Sequence, residues 1–109
     1  MAKTITLKYN DATYTLEFTR RTVSRLEEAG FNINEIGEKP ATMIPILYEG
    51  AFWAHHRMAN NDIIWEIYDT IKDKEGLMRN LAEMYAEPIE TLFSEPEDNE
   101  KNATWETNW

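Results

Sequence analysis

The chain has no cysteine in its 109 residues, which excludes a disulfide framework, a thiolate zinc site and a cysteine nucleophile together. Glycine is sparse. Gly30, Gly37, Gly50 and Gly76 stand far apart, so no glycine-rich phosphate loop is present, and no nucleophile elbow surrounds Ser24 or Ser94. Positive charge is also short: 11 Lys and Arg against 20 Asp and Glu leave a net charge of -9, which repels phosphate backbones and anionic lipids alike. Neither nucleic acid nor a membrane is expected as a partner. No apolar run approaches a membrane span, and Met1 to Asn10 lacks the basic-then-apolar layout of a signal peptide. The expectation is a chain that works where it is made, in a cytoplasm.

What is present is enough for one folded unit. A hydrophobic fraction of 42% with 28% charged residues is ordinary for a globular domain, and 109 residues suffice for one core but not two. The only shift in composition falls at Glu95. Beyond it Glu95, Glu97, Asp98, Glu100 and Glu106 oppose Lys101, so the tail holds four of the nine net negative charges. This acidic stretch has no helical or strand period, yet it carries Trp105 and Trp109. Burying both rings would yield about 10 kcal/mol, whereas ordering the whole tail would cost on the order of 15–30 kcal/mol of backbone entropy. The tail should not fold alone. Pinning only Trp105 to Trp109 comes near break-even, either as an anchor for a partner or as a patch on the domain's own surface.

Thr4 to Tyr9 and Thr13 to Phe18 alternate in character around Asn10, Asp11 and Ala12, the pattern of a β-hairpin. Thr19 can cap a helix whose inner face holds Val23 and Leu26 and which stops at Gly30, with Phe31 placed to meet Leu26. Ile33 and Ile36 pin a polar connector to the core. Pro40 or Thr42 opens the next helix. A start near Ala41 to Thr42 would keep Pro45 in the first turn, and Ile44, Leu47, Tyr48, Ala51, Phe52 and His55 recur at helical spacing through Arg57. Asn61 can cap a third helix with Ile63, Ile64, Ile67, Tyr68 and Ile71 on one stripe. Asp73 can cap a fourth with Leu77, Met78, Leu81, Met84 and Tyr85. Pro88 either kinks that helix or starts a short last one with Ile89, Leu92 and Phe93, and helix content ends near Ser94. The expected class is α+β, mainly α: a single domain over 1–94 with a hairpin at about 4–18, four or five helices over about 20–94 packed as a small bundle, and a flexible, disordered acidic tail over 95–109.

No catalytic constellation emerges, so an enzyme is not expected. His55 and His56 are adjacent, which on a helix aims them about 100° apart, and no third ligand stands near; one structural and one exposed histidine is the reading. Metal and cofactor are expected to be none. Trp53 and Trp65 lie off the best apolar stripes of their helices and either complete the core or form an aromatic partner surface. With Trp105 and Trp109 they are the candidate partner-binding residues.

Read as a whole, the chain resembles the tail assembly chaperones of long-tailed phages and prophages. The resemblance covers nearly the full length. It rests on Tyr14 to Val23 with Thr19, Arg20 and Arg21, on Ala29, Gly30 and Phe31, and on Lys39 and Pro40. It continues through Ala51 to Arg57 with both histidines, Leu81 to Tyr85, Pro88 to Glu90, and Trp105 and Trp109. The resemblance implies a non-enzymatic protein that keeps the long, aggregation-prone tape-measure protein soluble while tail-tube subunits polymerise around it. It implies tape-measure protein as partner, with tail-tube protein and a homo-oligomer left open. It also implies action in the cytoplasm of the bacterial host and absence from the mature virion. The family contributes no binding residues. The competing reading is an acidic inhibitor or DNA mimic of phage origin, which would need carboxylates arrayed over the folded body rather than gathered in a tail.

Overall fold

The computed structural model describes residues 3–97 and 101–109; Met1–Ala2, at the start of the expected domain, and Asp98–Glu100, within the expected tail, lie outside the described residues. The chain is α+β and mainly α. An antiparallel hairpin of β1 (Thr4–Tyr9) and β2 (Ala12–Glu17) leads into α1 (Arg20–Glu28), a 3₁₀ turn at Ile33–Glu35, α2 (Pro40–Gly50), α3 (Asn61–Thr70) and α4 (Lys74–Glu90).

Asn10 and Asp11 form the hairpin turn with φ of 47° and 65°, left-handed values that Asn and Asp tolerate and that match the twist of a two-residue hairpin. The register pairs Ile5 with Leu16 and Leu7 with Tyr14, which puts the apolar side chains of both strands on one face. Leu16 is completely buried. A two-stranded sheet has two open edges, and here the β2 edge is covered. Glu17 N–H donates to the Ala51 carbonyl at 3.1 Å, and Thr15 N–H donates to His56 Nε2 at 2.9 Å. Lys3 ties the start of β1 to α4, its N–H donating to Glu87 at 2.7 Å and its ammonium lying 3.4 Å from Glu83.

Thr19 and Thr22 form a reciprocal capping box at the start of α1. At the other end Gly30 adopts φ 97°, Gly30 N–H reaches the Glu27 carbonyl and Phe31 N–H reaches the Leu26 carbonyl at 2.9 Å. This is the left-handed stop expected of the sequence, and it folds Phe31 back into the core beside Leu26.

Four features of the helix ends differ from the sequence expectation. α2 starts at Pro40 itself, so Pro45 lies beyond the first turn and the Ala41 carbonyl lacks its i+4 donor. That helix also ends at Gly50 rather than Arg57. The carbonyl of Ala51, which would accept from His55 in a continuing helix, is taken by the N–H of Glu17, and the chain tightens into turns with Phe52 and Trp53 donating to Glu49 and Gly50. The cap of α3 is Asn60, not Asn61: its Oδ1 accepts from Asp62 N–H at 2.7 Å. Pro88 neither opens a new helix nor ends α4, which runs unbroken from Lys74 to Glu90 with Asp73 as its cap, so the α-helices number four among the described residues.

The core joins all of these elements. Tyr48, Phe52, Leu16, Leu26, Leu47 and Leu81 are its largest fully buried side chains. Phe18 and Phe31 pack edge-on against Tyr85 at 5.4 and 4.9 Å, while Tyr48 contacts Phe52, Trp65 and Tyr68. Beyond the turn at Thr91–Phe93, residues 94–97 and 101–109 form neither helix nor strand.

Candidate partner-binding surfaces

The four tryptophans divide into two pairs. Trp53 is half-buried on the turns after α2, packed against the core, and the guanidinium of Arg25 stands 4.6 Å from its ring centre. Trp65 is half-buried on α3, packed at a tilt against Tyr48 and edge-on against Tyr68, with its indole N–H donating to Glu49 at 2.7 Å. Each ring packs on its own neighbours. Trp105 and Trp109 are 87% and 100% exposed, so the tail presents both rings to solvent.

The histidines separate as their spacing requires. His56 is half-buried, stacked edge-on against Tyr14, and its Nε2 accepts the β2 backbone proton. Its proton therefore sits on Nδ1, and the ring does structural work at the sheet edge. His55 is exposed and pairs with Glu17 at 2.7 Å. Among the described residues, no group of three or more Asp, Glu or His side chains is placed to hold a metal ion, and no helix is long and apolar enough to cross a membrane.

One concave surface has no counterpart in the sequence expectation. A groove of about 520 Å³ opens where the start of α2, the end of α3 and the first turns of α4 meet. Its walls are Ile36, Ile44, Tyr68, Met78 and Ala82, all half-buried. Lys74, Glu75 and Arg79 stand at it too; Lys74 donates to the Ile71 carbonyl at 2.7 Å and lies 5.5 Å from the centre of the Tyr68 ring. Ile36, Ile44 and Met78 show the same helical or connector pattern as true core residues. Periodicity distinguishes an inward face from an outward one, but not a filled gap from an open one.

Beneath the groove, Tyr48 fixes α2 to α3 by donating to the Ile64 carbonyl at 2.7 Å. Burial, reinforced by Tyr68 and Asp69, pushes the Tyr48 hydroxyl well above the usual phenol range, and burial with Glu27 nearby raises Tyr85. Both stay neutral across ordinary pH, so the donor at Tyr48 is permanent.

Over residues 1–109 the sequence matches the family described as Domain of unknown function (DUF5055). The chain belongs to the DUF5055 family. No curated protein and no solved structure matches it. The DUF5055 chain thus offers two kinds of surface for a partner: a preformed apolar groove on the helical body and a pair of exposed indoles on an acidic tail.

Proposed function

We propose that this protein is a phage tail assembly chaperone whose helical body holds an apolar segment of the tape-measure protein until the tail tube encloses it. The observation that carries the reading is the groove between α2, α3 and α4, lined by Ile36, Ile44, Tyr68 and Met78. A groove of this character suits the apolar stripe of an amphipathic helix, with residues at i, i+3, i+4 and i+7 as anchors. Lys74, Glu75 and Arg79 at the groove offer both signs of charge to the client's polar flank. The resemblance along the chain supplies the identity of that client.

On this reading the protein is a carrier rather than an enzyme. A net charge of -9 keeps it and its complex apart from other copies by general repulsion while the client's apolar surface is covered. It acts in the host cytoplasm and is absent from the finished particle. Trp105 and Trp109 provide a second contact that a long client or the tail-tube protein can engage.

The test is co-expression with the candidate tape-measure protein. The expected result is a higher soluble fraction of that protein and recovery of the two together. Unchanged solubility together with separate elution would overturn the reading.

A further inference from the structure

The first turn of α1 runs against its own electrostatics. Its N-terminal end carries the positive pole of the helix, which favours acidic residues, yet the first turn holds Arg20 and Arg21 and no acid at all. Arg20 has a structural task, donating to the Thr91 carbonyl at the end of α4 at 3.0 Å. Arg21 has none. Four residues on, Arg25 repeats the charge on the same face, an i,i+4 like-charge pair that destabilises a helix. Arg57 completes the group from the segment after α2.

These three side chains, of five arginines in the chain, line one recess of about 140 Å³ whose wall is Trp53. None of the three makes an ion pair with a carboxylate among the described residues, although acids outnumber bases 20 to 11. The arrangement is that of a receptor for a carboxylate-bearing segment: the guanidinium forks of Arg21 and Arg57 for the acids, beside a Trp53 indole that Arg25 already covers at 4.6 Å.

The same sequence contains the complement. The tail joins Glu95, Glu97, Asp98, Glu100 and Glu106 to two indoles, and Trp105 and Trp109 have almost no contact with their own body. Through the Arg20–Thr91 hydrogen bond, the end of α4 is attached to the first residue of α1, next in sequence to Arg21 of the recess but on another face of that helix. Two copies facing each other at this end can each insert the tail into the other's recess. Such an exchange about a two-fold axis closes both contacts at once, so the second docks without a further loss of translational freedom.

We propose that the Arg21–Arg25–Arg57–Trp53 recess binds the acidic, tryptophan-bearing tail of a second copy, making a tail-exchanged dimer. This stands whether or not the groove holds a tape-measure segment, because the recess is a different surface from the groove, although a docked tail is withdrawn from any contact with a client.

The experiment is sedimentation of the full chain over a range of concentrations, alongside the exposed charge reversals Arg21→Glu and Arg57→Glu, the tail variant Glu106→Lys, and a form lacking residues 95–109. A reversible dimer is expected. Its dissociation constant should rise by about tenfold or more in either charge-reversed recess, as fits loss of a charge-assisted contact. It should also rise from about 0.1 M to about 1 M salt, as the screening length contracts from about 10 Å to about 3 Å. Mixing the double variant Arg21→Glu/Arg57→Glu, which keeps its tail, with the tail-less form, which keeps its recess, should give a heterodimer that neither forms alone. Equal melting temperatures of parent and variants at concentrations low enough for all to be monomeric check that the exposed substitutions leave the fold intact. A monomer at every concentration overturns the proposal. So does a concentration-independent burial of the tail indoles, which would mean docking within one copy, and so does a dimer indifferent to the recess and tail changes.

Discussion

The hydroxyl of Tyr48, buried in the last turn of α2, donates to the carbonyl of Ile64 in α3 at 2.7 Å, a bond that links two of the helices that frame the groove. Tyr48→Phe keeps the ring contacts with Phe52, Trp65 and Tyr68 and removes only the donor. A loss of about 1 kcal/mol in chemical denaturation is expected, because the Ile64 carbonyl keeps its helical partner.

The same residue sets an alkaline limit. The folded state raises the Tyr48 pKa well above 10.0, so above that value the unfolded chain loses this proton while the folded chain keeps it. Its stabilisation is therefore complete below the unfolded pKa and is lost as pH rises toward the folded one. Denaturation midpoints should be flat in this respect up to about pH 10 and fall beyond it, and Tyr48→Phe should flatten that fall in part, Tyr85 contributing the rest. An equal alkaline slope in the variant would contradict the assignment.

Gly50 is where α2 meets α1. A Cβ built there would stand 2.5 Å from Cδ1 of Leu26, which is completely buried and has nowhere to move. Gly50→Ala gains about 1 kcal/mol of helix propensity, but overpacking costs about 1–3 kcal/mol, so the net effect is destabilising. Combining it with Leu26→Ala should be less costly than the sum of the two single changes.

His56 closes the β2 edge at Thr15. His56→Leu leaves that N–H without its acceptor, at a cost of about 1–2 kcal/mol, and hydrogen exchange should accelerate at Thr15 while Glu17, held by Ala51, stays protected. Equal acceleration at both amides would mean that the segment after α2 moves as a unit.

Met78 is half-buried at the groove and packs only partly on the core. Met78→Glu should lower the melting temperature modestly, yet reduce capture of the tape-measure segment by about tenfold or more, the weight of one apolar anchor replaced by a charge. Capture at the parental level would place the client elsewhere.

Local signals are legible at several element ends, although the cap of α3 falls one residue earlier than expected, on Asn60. Asn10–Asp11 at the hairpin, Thr19 before α1, Gly30 after it and Asp73 before α4 act through their own backbone neighbours, and each sits at the element end that its chemistry favours. The fate of Pro45 and the early end of α2 were not legible. The periodicity of Ala51, Phe52 and His55 continues past Gly50, but the Ala51 carbonyl is claimed by Glu17, 34 positions earlier in the chain. The groove was hidden for a related reason: Ile36, Ile44 and Met78 come from three separate segments, and only their packing leaves the space between them open.

By itself the sequence determined the α+β class, the presence of the hairpin, the caps Thr19 and Asp73 and the division between an apolar body and an acidic tail carrying Trp105 and Trp109. Each of these depends on residue type and short spacing. Tertiary structure alone decided which apolar residues fill the core and which wall a groove, and that Arg21, Arg25 and Arg57 converge on Trp53. Those outcomes depend on the relative placement of elements far apart in the chain, which no local propensity encodes.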